Sequence, residues 1–169
     1  ACGTCDNTCT KSQLSKATGT ISIATGGWDM KDGDTFTLND GLNVPVTFEF
    51  DKNANTGTGR IAVTISTGSS AEQVATAIWT AIQGVSGSGL DITAAVSTDT
   101  VTLTHGQAGS FGNQRIVKTA SNASSTNNNL LVSGMSGGGG FDCQAGVACA
   151  SSQDCEPGLV CTGGTCKTP

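Results

Sequence analysis

The sequence predicts an α+β, mainly β domain: a twisted antiparallel sheet or β-sandwich with one packed helix and disulfide-stapled terminal arms. Three observations predict this fold class. Most of the chain alternates Val, Ile or Thr with other residues, a single segment has helical spacing, and all cysteines lie near the two ends. Charged residues are only 12% of the chain and glycines number 24, which also favours a fold built from strands and turns.

Composition divides the chain into three parts. Residues 1–16 are predicted to form a Cys-bearing N-terminal arm, and residues 17–136 a β-rich core domain. Residues 137–169 combine a glycine linker with a Cys-rich C-terminal module, which is expected to be mainly loop. The 169 residues suffice for one ordinary domain with an appendage.

Eight segments have a period of two and are predicted to be strands. They are Thr18–Thr25, Asp34–Asn39, Val46–Asp51, Arg60–Ser66, Leu90–Ser97, Thr100–Thr104, Gln114–Ala120 and Leu130–Val132. The first four are expected to be antiparallel, with turns at Asp40-Gly41 and over the polar segment 53–59.

One helix is predicted after the fourth strand. Ser69 and Glu72 have the spacing of a capping box, in which the serine hydroxyl serves the backbone N–H of residue 72. The apolar residues that follow at helical spacing are Ala71, Val74, Ala75, Ile78 and Ile82. Gly84 is expected at the end of this helix.

The cysteines form two clusters of odd size, namely Cys2, Cys5 and Cys9 at one end and Cys143, Cys149, Cys155, Cys161 and Cys166 at the other. If all eight pair, at least one disulfide must join the clusters, and it can lie within one chain or between two chains. Metal, haem and redox alternatives for the Cys2–Cys5 pair lack the partner residues or the context that each requires. This cysteine content predicts a secreted, extracellular protein. Because the chain begins with Ala1, a processed N-terminus is expected.

Charge and hydropathy narrow the choice of partners. The net charge of −5, without any run of Lys or Arg, argues against nucleic acid. No apolar stretch has the length of roughly 18 residues that a membrane helix needs. The sequence implies no cofactor.

Residues 18–140 contain a series of motifs that includes GDTFTL, AEQVATAI, LDITAAV, VTLT, GSFGN and SGMSGG. This series resembles a small β-rich domain that recurs in phage virion structural proteins and in bacterial secreted surface proteins. The resemblance implies a fold and a structural role but no chemistry. The Cys-rich segment 149–166 is similar to small disulfide modules appended to exported bacterial proteins. The cysteine arms depart from the phage pattern and favour a secreted bacterial protein.

Two residues formally match catalytic patterns. Ser136 lies within a G-x-S-x-G sequence, but glycines follow it where a nucleophile elbow needs a helix. His105 is the only histidine, at a predicted strand end without an obvious nucleophile beside it. We therefore predict no catalytic residue and no enzyme activity.

Other residues are weaker candidates for binding. Asp29, Asp32 and Asp34 form an acidic group that is a weak calcium candidate, whereas segment 51–57 lacks the Gly and Glu of an EF-hand loop. Asn122 begins a glycosylation sequon. Trp28 and Trp79 are interface candidates, with ordinary packing as the alternative for each.

These features predict a non-enzymatic exported subunit that self-assembles into an extracellular fibre or pilus-like filament at the bacterial cell surface. Disulfides would stabilise the filament, and the partner would be a second copy in a head-to-tail homo-oligomer. The alternative is a monomeric secreted adhesin or carbohydrate-binding module whose partners are glycans. A third possibility is a phage virion structural protein.

Overall fold

The computed structural model describes residues 15–121, 128–139, 160–167 and 169. These residues are mainly strands with one α-helix, which confirms that the fold is α+β and mainly β. The strands are β1 (Lys16–Ile23), β2 (Thr35–Leu38), β3 (Val46–Asp51), β4 (Ile61–Thr64), β5 (Ile92–Ser97), β6 (Thr100–Ala108), β7 (Val117–Thr119), β8 (Leu130–Ser136), β9 (Val160–Thr162) and β10 (Thr165–Lys167), and the helix α1 is Ala71–Gln83.

The strands of the core domain form two four-stranded sheets. Sheet A has the order β5-β6-β1-β8 and is antiparallel throughout. Sheet B has the order β4-β3-β2-β7. Residues from both sheets and from α1 share one hydrophobic core, as expected of a sandwich closed by a helix.

The prediction that the first four strands are all antiparallel is wrong for β3 and β4. These two strands pair in parallel, with Phe48 opposite Ile61 and Phe50 opposite Val63. Segment 52–60 therefore cannot be a hairpin and must return along β3. It does so beside Glu49, whose carboxylate accepts hydrogen bonds from the Gly57 N–H and from Arg60.

Aromatic and aliphatic residues of sheet B form the centre of the core. Phe36 stacks on Phe48 with ring centroids 4.9 Å apart, and Phe50 lies 6.0 Å from Phe36 in a tilted arrangement. All three rings are fully buried, as the period-two pattern predicts.

The helix α1 begins one residue later than its sequence predicts. Ser70, not Ser69, is the N-cap, and its hydroxyl accepts a hydrogen bond from the Gln73 N–H. The Gln73 side chain completes the capping box by accepting from the Ser70 N–H. The predicted apolar stripe is confirmed for Val74, Ala75, Ile78 and Ile82, which are buried.

The C-terminal module is not only loop. Strands β9 and β10 form an antiparallel hairpin around Gly163 and Gly164, whose positive φ angles suit a tight two-residue turn. The backbone pairing places Cys161 opposite Cys166. No helix in the described parts of the chain is long and apolar enough to span a lipid bilayer.

Candidate interaction surface

The outer side of sheet A carries an ordered array of hydroxyl side chains, which we call the hydroxyl face. The strand register arranges it in three rows of four residues. The rows, each ordered β5-β6-β1-β8, are Thr93-Thr104-Thr18-Ser136, Ala95-Thr102-Thr20-Ser133 and Ser97-Thr100-Ser22-Leu131. All but Ala95 and Leu131 are Ser or Thr, and every member is exposed or half-buried.

Several of these hydroxyls bond to one another across the strands. The hydroxyls of Thr20 and Ser133 are 2.9 Å apart, and those of Ser22 and Thr100 are also 2.9 Å apart. The Thr93 hydroxyl donates to the Thr104 carbonyl at 3.2 Å. A polar group with a partner loses less free energy on removal from water than one without. The face can therefore be covered by a partner at a moderate desolvation cost.

The hydroxyl face also lacks charge. None of its residues, all of which the structure describes, is ionisable, although the whole chain has a net charge of −5. The outer side of sheet B is different, because it carries Glu49 and Asp51. Segment 52–60 covers these two carboxylates and supplies Arg60, which forms a 2.6 Å ion pair with Glu49. Sheet A therefore offers the face whose three rows are uncharged and not covered by any described residue, with the exposed Lys16 next to Thr18 on the same side of β1.

The two ends of the core domain lie side by side at the end of sheet A. Ser15 and Gly139 form an antiparallel bridge, in which the Ser15 N–H donates to the Gly139 carbonyl at 2.7 Å. The Ser15 hydroxyl adds a 2.6 Å hydrogen bond to the Gly137 carbonyl. The N-terminal arm thus joins the core next to the point where the C-terminal module leaves it.

A shallow cleft of about 570 Å³ lies between the loop after β2 and the segment before β5. Asp40 is buried next to it and accepts hydrogen bonds from the backbone N–H groups of Leu42, Asn43 and Asp91 and from the Asn43 amide. Burial alone would raise the pKa of Asp40. The hydrogen bonds, of which that from the Asn43 side chain is the strongest, outweigh burial and lower the pKa to about 2.

The structure separates the residues that match catalytic patterns. His105 is fully buried on the inner side of sheet A, with its ring 5.2 Å from that of Phe111. Its Nε2 lies 2.9 Å from the Asp40 carbonyl, and its Nδ1 accepts from the Gln107 N–H. Ser136 is exposed on the opposite side of the sheet, within the hydroxyl face. These two residues therefore cannot act together as a nucleophile and its base.

The acidic group Asp29, Asp32 and Asp34 surrounds a lysine. The Lys52 ammonium donates hydrogen bonds to the carbonyls of Gly27 and Met30. Asp32 accepts from the Lys52 N–H and the Asn53 amide, and Asp34 accepts from the Ser121 N–H. Desolvation, followed by the nearby Lys31, lowers the pKa of Lys52. The three carboxylates oppose this effect, but the pKa of Lys52 stays below its ordinary value. Within the described residues, no group of three His, Cys, Asp or Glu side chains is placed to hold a metal ion.

The remaining site candidates fall in different environments. Trp28 is 74% exposed in the loop after β1. Trp79 packs against the core, and its indole N–H donates to the Ala94 carbonyl at 3.1 Å, which agrees with ordinary packing. Asn122 and the cysteines at positions 2, 5, 9, 143, 149 and 155 lie outside the described residues.

Sequence reasoning identified the strands of the hydroxyl face but not the face itself. The available signal was Ser or Thr at every second position of segments such as TGTIS and TVTLT. Comparison with known proteins supplies no relative, since the chain matches no protein-family model and no curated protein.

Proposed function

We propose that this protein is a non-enzymatic, exported structural subunit that self-assembles into an extracellular filament. The observation that carries the proposal is the hydroxyl face, whose three rows are uncharged and not covered by any described residue, on a chain of net charge −5. Within its three rows, it presents neighbouring copies with no like charges that oppose one another. The disulfide arms would stabilise the subunit in an oxidising environment.

Electrostatics explains why this face suits contact between copies. Like-charged proteins repel one another, and opposing two acidic surfaces would add unfavourable interactions at close range. An interface centred on Ser and Thr avoids that cost. Raising the ionic strength should strengthen the association, because salt screens the remaining repulsion between acidic copies.

The neighbouring positions of Ser15 and Gly139 favour a disulfide between the two clusters that closes within one chain. Cys9 lies six residues before Ser15, and Cys143 lies four residues after Gly139. Extended chain spans about 3.3–3.6 Å per residue, so these two segments can reach one another from adjacent starting points. Such a bridge would lock the subunit, and the filament would then depend on contacts between surfaces.

Sedimentation velocity and negative-stain electron microscopy of the oxidised full-length protein would test this proposal. We expect concentration-dependent assembly and filaments, with the association strengthened at 0.5 M relative to 0.05 M salt. Denaturing gels without reductant should show a compact monomer, because the bridge between clusters lies within a chain. A protein that stays monomeric at every concentration and salt condition would overturn the proposal.

The alternative of a monomeric adhesin or carbohydrate-binding module has one specific observation in its favour. Trp28 is 74% exposed, and an exposed indole is a suitable stacking platform for a sugar ring. Glycan binding by the monomer that is lost in Trp28→Ala, together with the absence of assembly, would favour this function.

A further inference from the structure

We propose that the hydroxyl face pairs with the hydroxyl face of a second copy around a two-fold axis parallel to the strands. This inference rests on the proposed function, because it names the contact through which copies associate laterally. A two-fold contact uses the same surface on both copies and closes as a pair. Growth along a filament then requires a second contact elsewhere on the subunit.

The positions of the two apolar residues favour this axis. A two-fold axis along the strands reverses the strand order, so β8 of one copy lies over β5 of the other while the rows stay aligned. Leu131, which is 53% exposed at the β8 edge, then lies over the partner's Ser97 and beside the partner's Ala95. An axis across the strands would instead place Leu131 over the partner's Ser136. Only the first arrangement brings Leu131 close to the partner's Ala95.

The side chains at the centre of the face suit close packing of two sheets. In the middle row, Thr102 and Thr20 lie on the two central strands. With the axis along the strands, Thr102 of one copy lies over the partner's Thr20. Packed sheets are about 10 Å apart, a distance that short β-branched side chains on both faces can fill. The pairing of hydroxyls within each sheet, as between Thr20 and Ser133, reduces the need for bonds across the interface.

The size of the face sets the strength of the pairing. Four strands about 4.8 Å apart and three rows about 7 Å apart cover roughly 400 Å² on each copy. Standard stable interfaces cover about 800 Å² on each partner. Pairing through this face alone should therefore be weak, with a dissociation constant in the micromolar range or higher. Many such contacts in one filament act together, because neighbouring subunits hold each pair at high effective concentration.

Charge introduced at the centre of the face tests the pairing. Thr102→Glu should reduce the association constant at least tenfold in sedimentation equilibrium, because it buries a carboxylate facing the partner. Thr64→Glu is the matched control, since Thr64 is an exposed threonine on β4 of sheet B, and it should change the constant less than twofold. Leu131→Ser, at an edge strand, provides a second variant if Thr102→Glu does not fold, and it should weaken association about fivefold.

Thr102→Val separates pairing from ligand binding. It keeps the branched shape but removes the hydroxyl, so pairing should be unchanged or stronger, whereas recognition of a glycan by that hydroxyl would be lost.

Wild-type protein that assembles while Thr102→Glu and Leu131→Ser assemble equally well would overturn the pairing but leave the proposed function standing. Wild-type protein that never assembles would overturn both. Monomeric protein whose binding to an insoluble polysaccharide is lost in Thr102→Val would also overturn the pairing.

Discussion

Asp40 links several separate parts of the core domain. Its carboxylate binds its own loop through Leu42 and Asn43, and it reaches the start of β5 through the Asp91 N–H at 2.7 Å. Its carbonyl lies within hydrogen-bonding distance of the His105 ring. One residue thus fixes a loop and a strand start through its side chain, and contacts a buried imidazole through its backbone carbonyl.

Replacing Asp40 with Asn should destabilise the protein by about 2 kcal/mol at pH 7. The amide would present an N–H₂ group where Oδ2 now accepts from the Asn43 amide and the Asp91 N–H, so donors would face donors. Urea unfolding monitored by tryptophan fluorescence would measure the loss.

The same variant should reveal how the contribution of Asp40 to the free energy of unfolding depends on pH. The folded-state pKa of about 2 lies below the usual aspartate value of 3.8, so the stabilisation is present above about pH 4. It is lost as the pH falls towards 2. The stability gap between wild type and Asp40→Asn should therefore narrow between pH 4 and pH 2. The exposed Asp99→Asn variant controls for the loss of one charge, and a gap that stays constant would contradict the assignment.

At the scale of elements, the start of α1 depends on one hydroxyl. Ser70→Ala should cost about 1 kcal/mol in free energy of unfolding, because the Gln73 N–H loses its acceptor. Ser70→Gly should cost only a few tenths, since glycine is tolerated at an N-cap. Chemical denaturation of both variants would check the order. Equal losses in the two variants would contradict the capping role.

The loop after β1 depends on a glycine at its contact with the start of the helix. A Cβ added to Gly27 would collide with the backbone carbonyl oxygen of Ser66, and the Gly27 N–H also donates to the Ser69 carbonyl. Gly27→Ala should therefore lower the thermal unfolding temperature by several degrees. Gly68→Ala, where an added Cβ meets nothing within 4 Å, is the matched control and should change it little.

Sequence patterns predicted individual elements better than their arrangement. Alternation located every strand of the two sheets, because the period of two follows from which face is buried. It carries no information on strand direction, so the polar segment 53–59 resembled a hairpin turn although the chain there returns beside Glu49. The helix start was displaced because Ser69-x-x-Glu72 and Ser70-x-x-Gln73 both satisfy the capping-box pattern.

The hydroxyl face shows the same limit for the candidate site. Each strand contributes only two or three Ser or Thr residues, at alternate positions on β1 and β6, which is ordinary for an exposed strand side. The array exists because β1 pairs with both β6 and β8 in registers that align Thr18 and Thr20 with hydroxyl residues on both sides and Ser22 with Thr100 on one side. Such long-range registers depend on tertiary packing and could not be predicted from local alternation.

At the scale of the whole molecule, the core and the proposed disulfides should make separable contributions to stability. The hydrophobic core is formed by residues between Ala17 and Met135. A disulfide between the two cysteine clusters would enclose at least residues 10–142 and constrain the unfolded chain by about 4–5 kcal/mol.

Reduction of all disulfides should therefore lower the unfolding temperature by about 10 °C while leaving one cooperative transition. Calorimetry and far-UV circular dichroism, with and without reductant, would measure both quantities. Alkylated protein provides a control against reoxidation. Loss of the strand signal at 25 °C on reduction would show instead that the core does not fold without its bridges.

The hydrogen-bonded pair of Ser15 and Gly139 also determines how this domain can be rearranged. Since the chain enters and leaves at adjacent residues, a short linker could join the two points, and new termini could be opened at the exposed Thr98-Asp99 turn without disturbing either sheet. For the same reason, residues 15–139 could be carried within a surface loop of a host protein, which would need to spread its own backbone only by the width of one strand pair.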